Sequence, residues 1–240
     1  MDVTAHVMVR NEENYIEPVM DSIIQAGFRE VLVVDCASQD RTFEKLVPYG
    51  RLDRVRLTRT AILTPEENGQ VRQWLTDRTR TRWAMIIDGD EYYWPYVLRR
   101  LLKLEIPEGK KFGYTTLANV QLDDEGYYVA SQFSKHAFFD ADKTVWEGPY
   151  PFENPEDILL GNEDGRLNHY FGEDLLHRLN SWHGLHLRLL QRSPYDEETH
   201  LRVTLRETVH RRPEVLRRLR YLPVPARSSY VSIEAKLVIA

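Results

Sequence analysis

Two short apolar runs that each end in an aspartate constrain the fold most strongly. VLVV at Val31–Val34 leads into Asp35, and WAMII at Trp83–Ile87 leads into Asp88. Near-continuous apolar runs of this length are typical of parallel strands that are buried on both faces. Ligands of open α/β sheets bind outside the carboxyl ends of the strands, so the two aspartates mark one predicted site.

Helical segments separate the apolar runs and complete the pattern of a parallel sheet. Tyr15–Ala26 carries apolar residues at helical spacing and is followed by Gly27, a typical helix stop. Glu67–Arg80 and Pro95–Leu104 are also predicted to be helical, and Val3–Val9 is predicted to be the first strand. Strands and helices that alternate over such short distances indicate βαβ units. We therefore predict an α/β fold with a mostly parallel central sheet flanked by helices.

The second half of the chain has a different character. Gly113–Val120 and Gly126–Phe133 are predicted to form a hairpin, and residues 148–168 are predicted to be a long loop because they are rich in Pro, Gly, Asn and Asp. Residues 173–192 and 196–220 are predicted to be mainly helical. His183 and His186 would then lie three residues apart on one helix, where we interpret them as packing or acceptor contacts.

Composition narrows the class of protein. The 240 residues are 42 % hydrophobic and 29 % charged, which is ordinary for a globular chain of one large domain. The single cysteine, Cys36, excludes an internal disulfide and favours a reducing compartment. No apolar run approaches the roughly 20 residues of a membrane span. These features predict a cytoplasmic protein, and the basic stretch His210–Arg220 leaves peripheral association with a membrane open.

The segment Asp88-Gly89-Asp90-Glu91 is the clearest candidate for chemistry. Two carboxylates one residue apart at a strand end can face one hard cation, and Mg²⁺ and Mn²⁺ prefer oxygen ligands. Gly89 would let the backbone turn sharply and approach a ligand closely. An isolated acidic turn of this kind is more often merely solvated, but its place after a buried strand favours a cation site.

Two further polar segments follow the first and second strands. Arg10-Asn11-Glu12-Glu13 comes after Val3–Val9, and a segment that begins at Asp35 and ends at Thr42 comes after Val31–Val34. Asp40 and Thr42 could simply cap the next helix. Asp35 directly ends its strand, so we expect its carboxylate at the ligand edge of the sheet.

Together, the stretches VMVRNEE, VLVVDCASQDRT and WAMIIDGDEYY resemble the nucleotide-sugar glycosyltransferases of the GT-A fold, especially the inverting family two. The three motifs occur in the family's order over about residues 3–100. The resemblance implies a GT-A (Rossmann-like) domain in which residues 1–110 bind the nucleotide-sugar and residues 111–240 form the acceptor-binding half with a helical C-terminal section. It also implies transfer of a hexosyl or pentosyl group from a nucleoside-diphosphate sugar to an acceptor hydroxyl, with Mn²⁺ or Mg²⁺ as cofactor.

The same resemblance implies roles for individual residues. Asp35 matches the acid that hydrogen-bonds the base, Asp88 matches the acid that faces the ribose and metal region, and Asp90 matches the metal ligand on the diphosphate. His169 is a candidate for a further metal ligand. Additional nucleotide contacts are implied for Arg10, Asn11, Glu13, Asn68 and Arg72.

An inverting transferase also needs a carboxylate that takes the proton of the acceptor hydroxyl. A subset of the family has a lysine or arginine with an apolar strand, then Trp-x-Gly, a His-Glu pair and a later His-Tyr. This chain has KHAFF, Trp146-Glu147-Gly148, Phe152-Glu153 and His169-Tyr170. The resemblance makes Glu153 the candidate base, and Glu147, Glu156 and Asp157 are the alternatives.

Two other functions remain open on the sequence. Nucleotidyl transfer also uses a nucleotide-binding α/β sheet, but it usually has a glycine-rich loop after the first strand, and RNEENY contains no glycine. A non-catalytic nucleotide-sugar-binding module is the other alternative, which the intact Asp88-Gly89-Asp90-Glu91 disfavours. The acceptor could be a glycan, a lipid-linked molecule, a small molecule or a nucleic acid.

Overall fold

A computed structural model describes residues 2–61, 65–106, 108, 111–123, 126–147, 150–151, 183–187, 193 and 217–219. These residues form one nine-stranded mixed sheet with helices packed against it, and a small two-stranded sheet. The α/β fold predicted from the sequence is therefore confirmed.

The first half of the sheet is parallel. It consists of β1 (Val3–Val9), β2 (Glu30–Cys36), β3 (Val55–Thr60) and β4 (Trp83–Ile86), in the order β3-β2-β1-β4. All residues of β1, β2 and β4 are buried, as their apolar composition requires. Met8 pairs with Val34, and Val9 pairs with Asp35, so these strands end at the same edge of the sheet.

Four helices connect and cover these strands. They are α1 (Ile16–Ala26), α2 (Thr42–Leu46), α3 (Pro65–Thr76) and α4 (Pro95–Leu101), with a short 3-10 turn at Tyr49–Arg51. The core contains one face of α1, the apolar residues of α4 and alternate residues of the strands. No helix in the described part of the chain is both long and apolar enough to span a bilayer.

The second half of the sheet is mixed. It contains β5 (Glu91–Tyr93), β6 (Phe112–Asp123), β7 (Gly126–Asp140), β10 (Gly184–His186) and β11 (Arg217–Leu219), while β8 (Trp146–Glu147) pairs with β9 (Tyr150–Pro151). Strand β7 joins the two halves because it lies antiparallel to both β4 and β6. The predicted hairpin is confirmed, with strands longer than the sequence suggested.

The prediction that His183 and His186 lie on a helix is wrong. Gly184–His186 is strand β10, which lies between β6 and β5 and pairs with both. A Cβ at Gly184 would come within 2.7 Å of the carbonyl oxygen of Tyr92, so glycine lets the neighbouring backbone approach this closely. Backbone pairing with two strands outweighs the weak helical pattern of so short a segment.

The remaining prediction of a helical C-terminal section lies mostly outside the described residues. Within it, Arg217–Leu219 is a strand that pairs antiparallel with β7, where we predicted helix. The rest of residues 173–192 and 196–220 is not described, apart from residues 183–187 and Ser193.

Candidate functional site

The loops that follow β1 and β2 are joined by hydrogen bonds. Asn11 N–H donates to Ser38 Oγ at 3.0 Å, and Gln39 N–H donates to Asn11 Oδ1 at 2.8 Å. On the next residues, Glu12 N–H donates to Thr42 Oγ1 at 2.7 Å. These contacts make the two loops one structural unit at the carboxyl ends of the parallel strands.

Asn11 and Glu13, predicted to contact a nucleotide, both take part in this loop pairing. Glu13 N–H donates to Asp40 Oδ2 at 3.2 Å, and Glu13 Oε2 accepts from Arg41 N–H at 2.9 Å. Asp40 Oδ1 also accepts from Thr42 N–H at 2.9 Å, but the N-cap of α2 is Arg41, which has no side-chain cap hydrogen bond, so neither Asp40 nor Thr42 is the N-cap considered from the sequence. Nucleotide contact by Asn11 or Glu13 stays a prediction.

Two residues of these loops adopt left-handed backbone conformations. Asn11 has φ 57° and Ala37 has φ 55°. Asparagine tolerates this region, whereas an alanine in it costs about 1–2 kcal/mol. The turn at Ala37 brings Ser38 N–H back to within 3.3 Å of Asp35 Oδ2. Strain of this kind is common where surrounding structure holds a functional loop in place.

Asp35 lies fully buried at the end of β2. Its Oδ2 accepts from Ser38 N–H and forms a 3.0 Å ion pair with Arg59 Nε. Its Oδ1 is buried and has no hydrogen-bond partner among the described residues. Burial raises the pKa of Asp35, while Ser38 and Arg59 oppose that shift. Asp35 therefore offers a buried carboxylate oxygen that can accept one more hydrogen bond.

The turn at Asp88-Gly89-Asp90 is pressed against the end of β1. Gly89 N–H donates to Met8 O at 3.0 Å, and a Cβ on Gly89 would lie 2.7 Å from Val9 Cγ1. The glycine is needed for this contact with β1, whereas the sequence suggested close approach to a ligand. Asp90 O accepts from Leu187 N–H at 2.7 Å, which ties the turn to the end of β10.

Asp88 is held by two cations. Arg72 on α3 donates to its Oδ1, and Lys135 on β7 donates to its Oδ2 at 3.1 Å. The side chain of Asp88 is 33 % exposed, whereas that of Arg72 is 9 % exposed. Although burial would raise the pKa of Asp88, Arg72 and Lys135 hold it well below its usual range. Arg72 Nη1 is buried without a hydrogen-bond partner among the described residues, so this guanidinium retains a donor.

Lys135 also binds Glu91, the acid that follows the turn. Its Nζ lies 2.6 Å from Glu91 Oε1 and 2.7 Å from Glu91 Oε2. Burial raises the pKa of Glu91, against the attraction of Lys135. Burial lowers the pKa of Lys135, but Asp88 and Glu91 raise it more, so the ammonium form is favoured.

Asp90 faces His186 from β10. Asp90 Oδ2 lies 3.4 Å from His186 Nε2, and the other ring nitrogen of His186 lies 2.7 Å from Asn119 Oδ1. With Asn119 accepting from Nδ1–H, the Nε2 atom faces the carboxylate. Although burial would lower the pKa of His186, Asp90 raises it. Ligand atoms of Asp90, Glu91 and His186 lie within 4.8 Å of one another, so this set fits a divalent cation.

The structure brings together most of the residues that were predicted for the donor. Asp35, Arg72, Asp88 and Asp90 lie at one edge of the sheet, and Asn68 on α3 has a buried Oδ1 without a partner among the described residues. Arg10, which directly follows β1, is exposed. The backbone of Glu147 lies in β8. Four other predicted residues lie outside the described part: Glu153, Glu156, Asp157 and His169.

Sequence reasoning missed several members of this cluster. Lys135 lies in the KHAFF segment and Glu91 in DGDEYY, but neither was assigned a role. Asn119 had no sequence signal. His186 was singled out, yet the helical prediction separated it from Asp90, and His169 was favoured as the metal ligand instead.

A cleft of about 510 Å³ elsewhere in the molecule is lined by basic residues, including Arg54 and Arg99. Arg54 donates to Ile24 O at 2.7 Å, and Arg99 donates to Gln25 O at 3.1 Å. These carbonyls end helix α1, where cations are favourable. The two arginines therefore serve the helix end, and this cleft is separate from the cluster around Asp88.

Comparison with known proteins gives a family for most of the chain. The family model described as "Glycosyl transferase family 2" matches residues 4–169. No curated protein sequence matches the chain.

Several solved structures resemble part of the chain at low identity. S. aureus TarS 1–349 in complex with UDP-GlcNAc is 20 % identical over 51 % of this chain and 35 % of its own, with a TM-score of 0.35. Glucosyl-3-phosphoglycerate synthase from Mycobacterium tuberculosis, in complex with Mg²⁺ and UDP, is 20 % identical over 49 % of this chain and 43 % of its own (TM-score 0.35). Mannosyl-3-phosphoglycerate synthase from Rubrobacter xylanophilus is 20 % identical over 50 % of this chain and 40 % of its own (TM-score 0.37). The chain thus spans less than half the length of these proteins.

Proposed function

The chain belongs to glycosyl transferase family 2, and on that premise we propose that it transfers a hexosyl or pentosyl group from a nucleoside-diphosphate sugar to an acceptor hydroxyl, with inversion and with a divalent cation. The observation that carries the proposal is the meeting of Asp35, Asp88 and Asp90 at one edge of the sheet. Asp35 offers a hydrogen-bond acceptor for a nucleotide base, Asp88 is an acid paired with Arg72, and Asp90 is a candidate ligand for a cation.

Asp35 is proposed to recognise the nucleotide base. Its buried Oδ1 lacks a partner among the described residues, and a buried acceptor left unbonded costs about 1–3 kcal/mol. A ring N–H such as those of uracil, thymine or guanine would satisfy it. Arg59 fixes the other oxygen, so the carboxylate presents Oδ1 in one orientation.

The diphosphate is proposed to bind near Asp90 and Arg72. Asp90 and His186, with Glu91 beside them, would hold Mn²⁺ or Mg²⁺, an ion that offsets the negative charge of a leaving diphosphate. Asn119 accepts from His186 Nδ1–H and so turns Nε2 towards Asp90. The buried Nη1 of Arg72 supplies a donor for a phosphate oxygen.

The acceptor hydroxyl needs a base on the side of the sugar opposite the diphosphate. We propose that Glu153 takes that proton, with Glu147, Glu156 and Asp157 as alternatives, because this segment resembles the stretch of the family subset that carries the base. The proposed location is cytoplasmic, with the acceptor class left open. A non-catalytic nucleotide-sugar-binding protein is the alternative outcome of the test below.

A screen of UDP-, GDP-, TDP- and CDP-sugars tests the function directly. Thermal shift with and without Mn²⁺ should show one nucleotide class that stabilises the protein more strongly when Mn²⁺ is present. The same donor should then be slowly hydrolysed by the purified protein. Binding without any hydrolysis or transfer would favour the non-catalytic alternative, and no stabilisation by any of the four donors would contradict the proposal.

A further inference from the structure

Lys135 occupies the position between two acids of the candidate site. Its side chain is 14 % exposed and comes from the interior of β7, opposite Thr115 of β6. The Nζ atom lies 3.1 Å from Asp88 Oδ2, 2.6 Å from Glu91 Oε1 and 2.7 Å from Glu91 Oε2. An ammonium has three N–H donors, and three carboxylate oxygens surround this one.

These contacts make Lys135 a partner of the acids rather than a ligand for phosphate. All three donors of the ammonium are directed at Asp88 and Glu91, so a phosphate oxygen would have to displace one of them. Arg72 in contrast retains a buried donor, Nη1, without a partner among the described residues. The two cations that hold Asp88 therefore differ in what they can offer a ligand.

The charge of the cluster depends on Lys135. With Asp88, Asp90 and Glu91 ionised, Arg72 and Lys135 cationic and His186 neutral, the cluster has a surplus of one negative charge. A divalent ion would turn this surplus into one positive charge, which attracts a diphosphate. Without Lys135 the same ion would leave the cluster neutral.

We propose that Lys135 is a positioning residue whose ammonium neutralises part of the charge of Asp88 and Glu91. It thereby confines divalent-ion binding to Asp90 and His186. It also keeps the site positively charged once the ion is bound, which favours binding of a diphosphate. The inference rests on the proposed function, because it assumes that the site binds a divalent ion and a nucleoside diphosphate. It assigns opposite effects of one charge to two ligands: Lys135 weakens binding of the ion and strengthens binding of the diphosphate.

The two opposite effects give the test. In the full chain, Lys135→Met and Lys135→Gln remove the charge, and Lys135→Arg keeps it. Mn²⁺ affinity without nucleotide is measured by electron paramagnetic resonance, and affinity for UDP and GDP at saturating Mn²⁺ is measured by calorimetry. A unit charge a few ångströms away is strong enough to change each affinity on the order of tenfold.

We expect the affinity for Mn²⁺ and the affinity for the diphosphate to change in opposite directions. Both neutral variants should bind Mn²⁺ about tenfold more tightly and the preferred diphosphate about tenfold more weakly, whereas Lys135→Arg should stay within about threefold of the wild type in both assays. A general structural defect would instead weaken both ligands together, and that result would overturn the proposal. Unchanged affinities in the neutral variants would overturn it as well.

Two further outcomes are informative. If the neutral variants fold poorly, Mn²⁺ should raise their melting temperature more than that of the wild type, since the ion replaces the lost positive charge; failure to fold even with Mn²⁺ would overturn the proposal. A wild type that binds neither Mn²⁺ nor a diphosphate would contradict the proposed function itself. If the wild type binds both Mn²⁺ and a diphosphate, and the neutral variants bind them with the same affinities, only the role of Lys135 is contradicted.

Discussion

The two halves of the sheet contribute to the candidate site in different ways. In the parallel half, Asp35 and Asp88 come from the points where strands β2 and β4 give way to loops. In the mixed half, Lys135 and Asn119 lie inside strands β7 and β6, and His186 is the last residue of β10. The first set depends on loops that bond to each other, whereas the second depends on the register between strands.

Register is a demanding way to place a side chain. A slip of one residue turns each side chain of a strand to the opposite face. The pairing of β6 with β7 shifts register between Gly113 and Tyr114 and again between Asn119 and Val120. Irregularities of this kind are often found beside functional sites, where they redirect a side chain. Lys135 and Asn119 lie between or next to these two shifts.

The largest effect is expected at Asp90, which lies in the turn between the two halves of the sheet. Asp90→Asn should lower transfer at least about 10³-fold, because the loss of a metal-ligand charge removes several kcal/mol of stabilisation from the transition state. Turnover is measured with the donor found in the screen. Asp77→Asn, an exposed acid in the turn directly after α3, is the matched control and should leave the rate unchanged. Full activity of Asp90→Asn in EDTA would contradict the metal assignment.

The proposed base Glu153, which lies outside the described residues, has the next largest expected effect. Glu153→Gln keeps the size of the side chain but cannot take a proton, so transfer should fall about 10²–10⁴-fold while donor affinity stays near that of the wild type. The comparison is with Glu147→Gln, Glu156→Gln and Asp157→Asn. If one of these three loses transfer and Glu153→Gln does not, the base is that residue. If all four are active, the inverting mechanism loses its main support.

Asp35→Ala tests the contribution of the parallel half alone. Losing a charge-assisted hydrogen bond of about 1.5–3 kcal/mol should weaken nucleotide binding roughly ten- to a hundredfold. Calorimetry with the preferred diphosphate measures this change. Asp53→Ala, an exposed acid before β3, serves as the control. Equal affinity of Asp35→Ala and the control would remove Asp35 from the base-binding site.

His6 joins the two halves and gives a pH test of that contact. It is fully buried in β1, its Nε2 lies 2.6 Å from Thr79 Oγ1, and its ring lies 5.4 Å from that of Phe139 on β7. Burial, and to a smaller degree Arg72, lowers the pKa of His6 to about 3. The unfolded chain, with a pKa near 6.5, therefore binds a proton that the folded chain refuses between these values.

The lower pKa of His6 in the folded chain decides how stability changes with pH. The contribution of neutral His6 to stability is fully present above pH 6.5 and falls as the pH drops towards 3, by about 2 kcal/mol at pH 5. His6→Leu removes the titration, so its loss of unfolding free energy between pH 7 and pH 5 should be smaller than that of the wild type by about this amount. Urea denaturation at the two pH values measures it. Equal losses would show that His6 titrates normally in the folded protein.

The smallest effect is expected at Asn119, which orients the proposed metal ligand His186. Asn119→Leu removes the acceptor for His186 Nδ1–H and should weaken Mn²⁺ binding about tenfold, as the loss of a residue that orients a metal ligand commonly does. Asn119→Asp keeps an acceptor and should restore most of the affinity. If both variants bind Mn²⁺ as the wild type does, His186 is either oriented by other contacts or is not a ligand.

The sequence predicted the parallel half well because its signals are local. The apolar runs around Val31–Val34 and Trp83–Ile87 are strands, and Ile16–Ala26 and Pro65–Thr76 are helices close to their predicted bounds. The aspartates at the strand ends follow from the same pattern, since parallel strands that are neighbours end at one edge. The mixed half was harder: β5 was not predicted at all, and β10 was predicted as helix.

The sequence by itself determined that an α/β sheet would present Asp35, Asp88 and Asp90 at one edge, because Asp35 and Asp88 directly follow apolar runs and Asp90 comes two residues after Asp88. Only the tertiary structure decided what those acids contact. Lys135 lies 44 residues from Glu91 in the chain, and His186 lies 67 residues from Asn119. No local pattern fixes such pairs, since they depend on which strands become neighbours and in what register. That choice is made by burial and backbone pairing across the whole sheet.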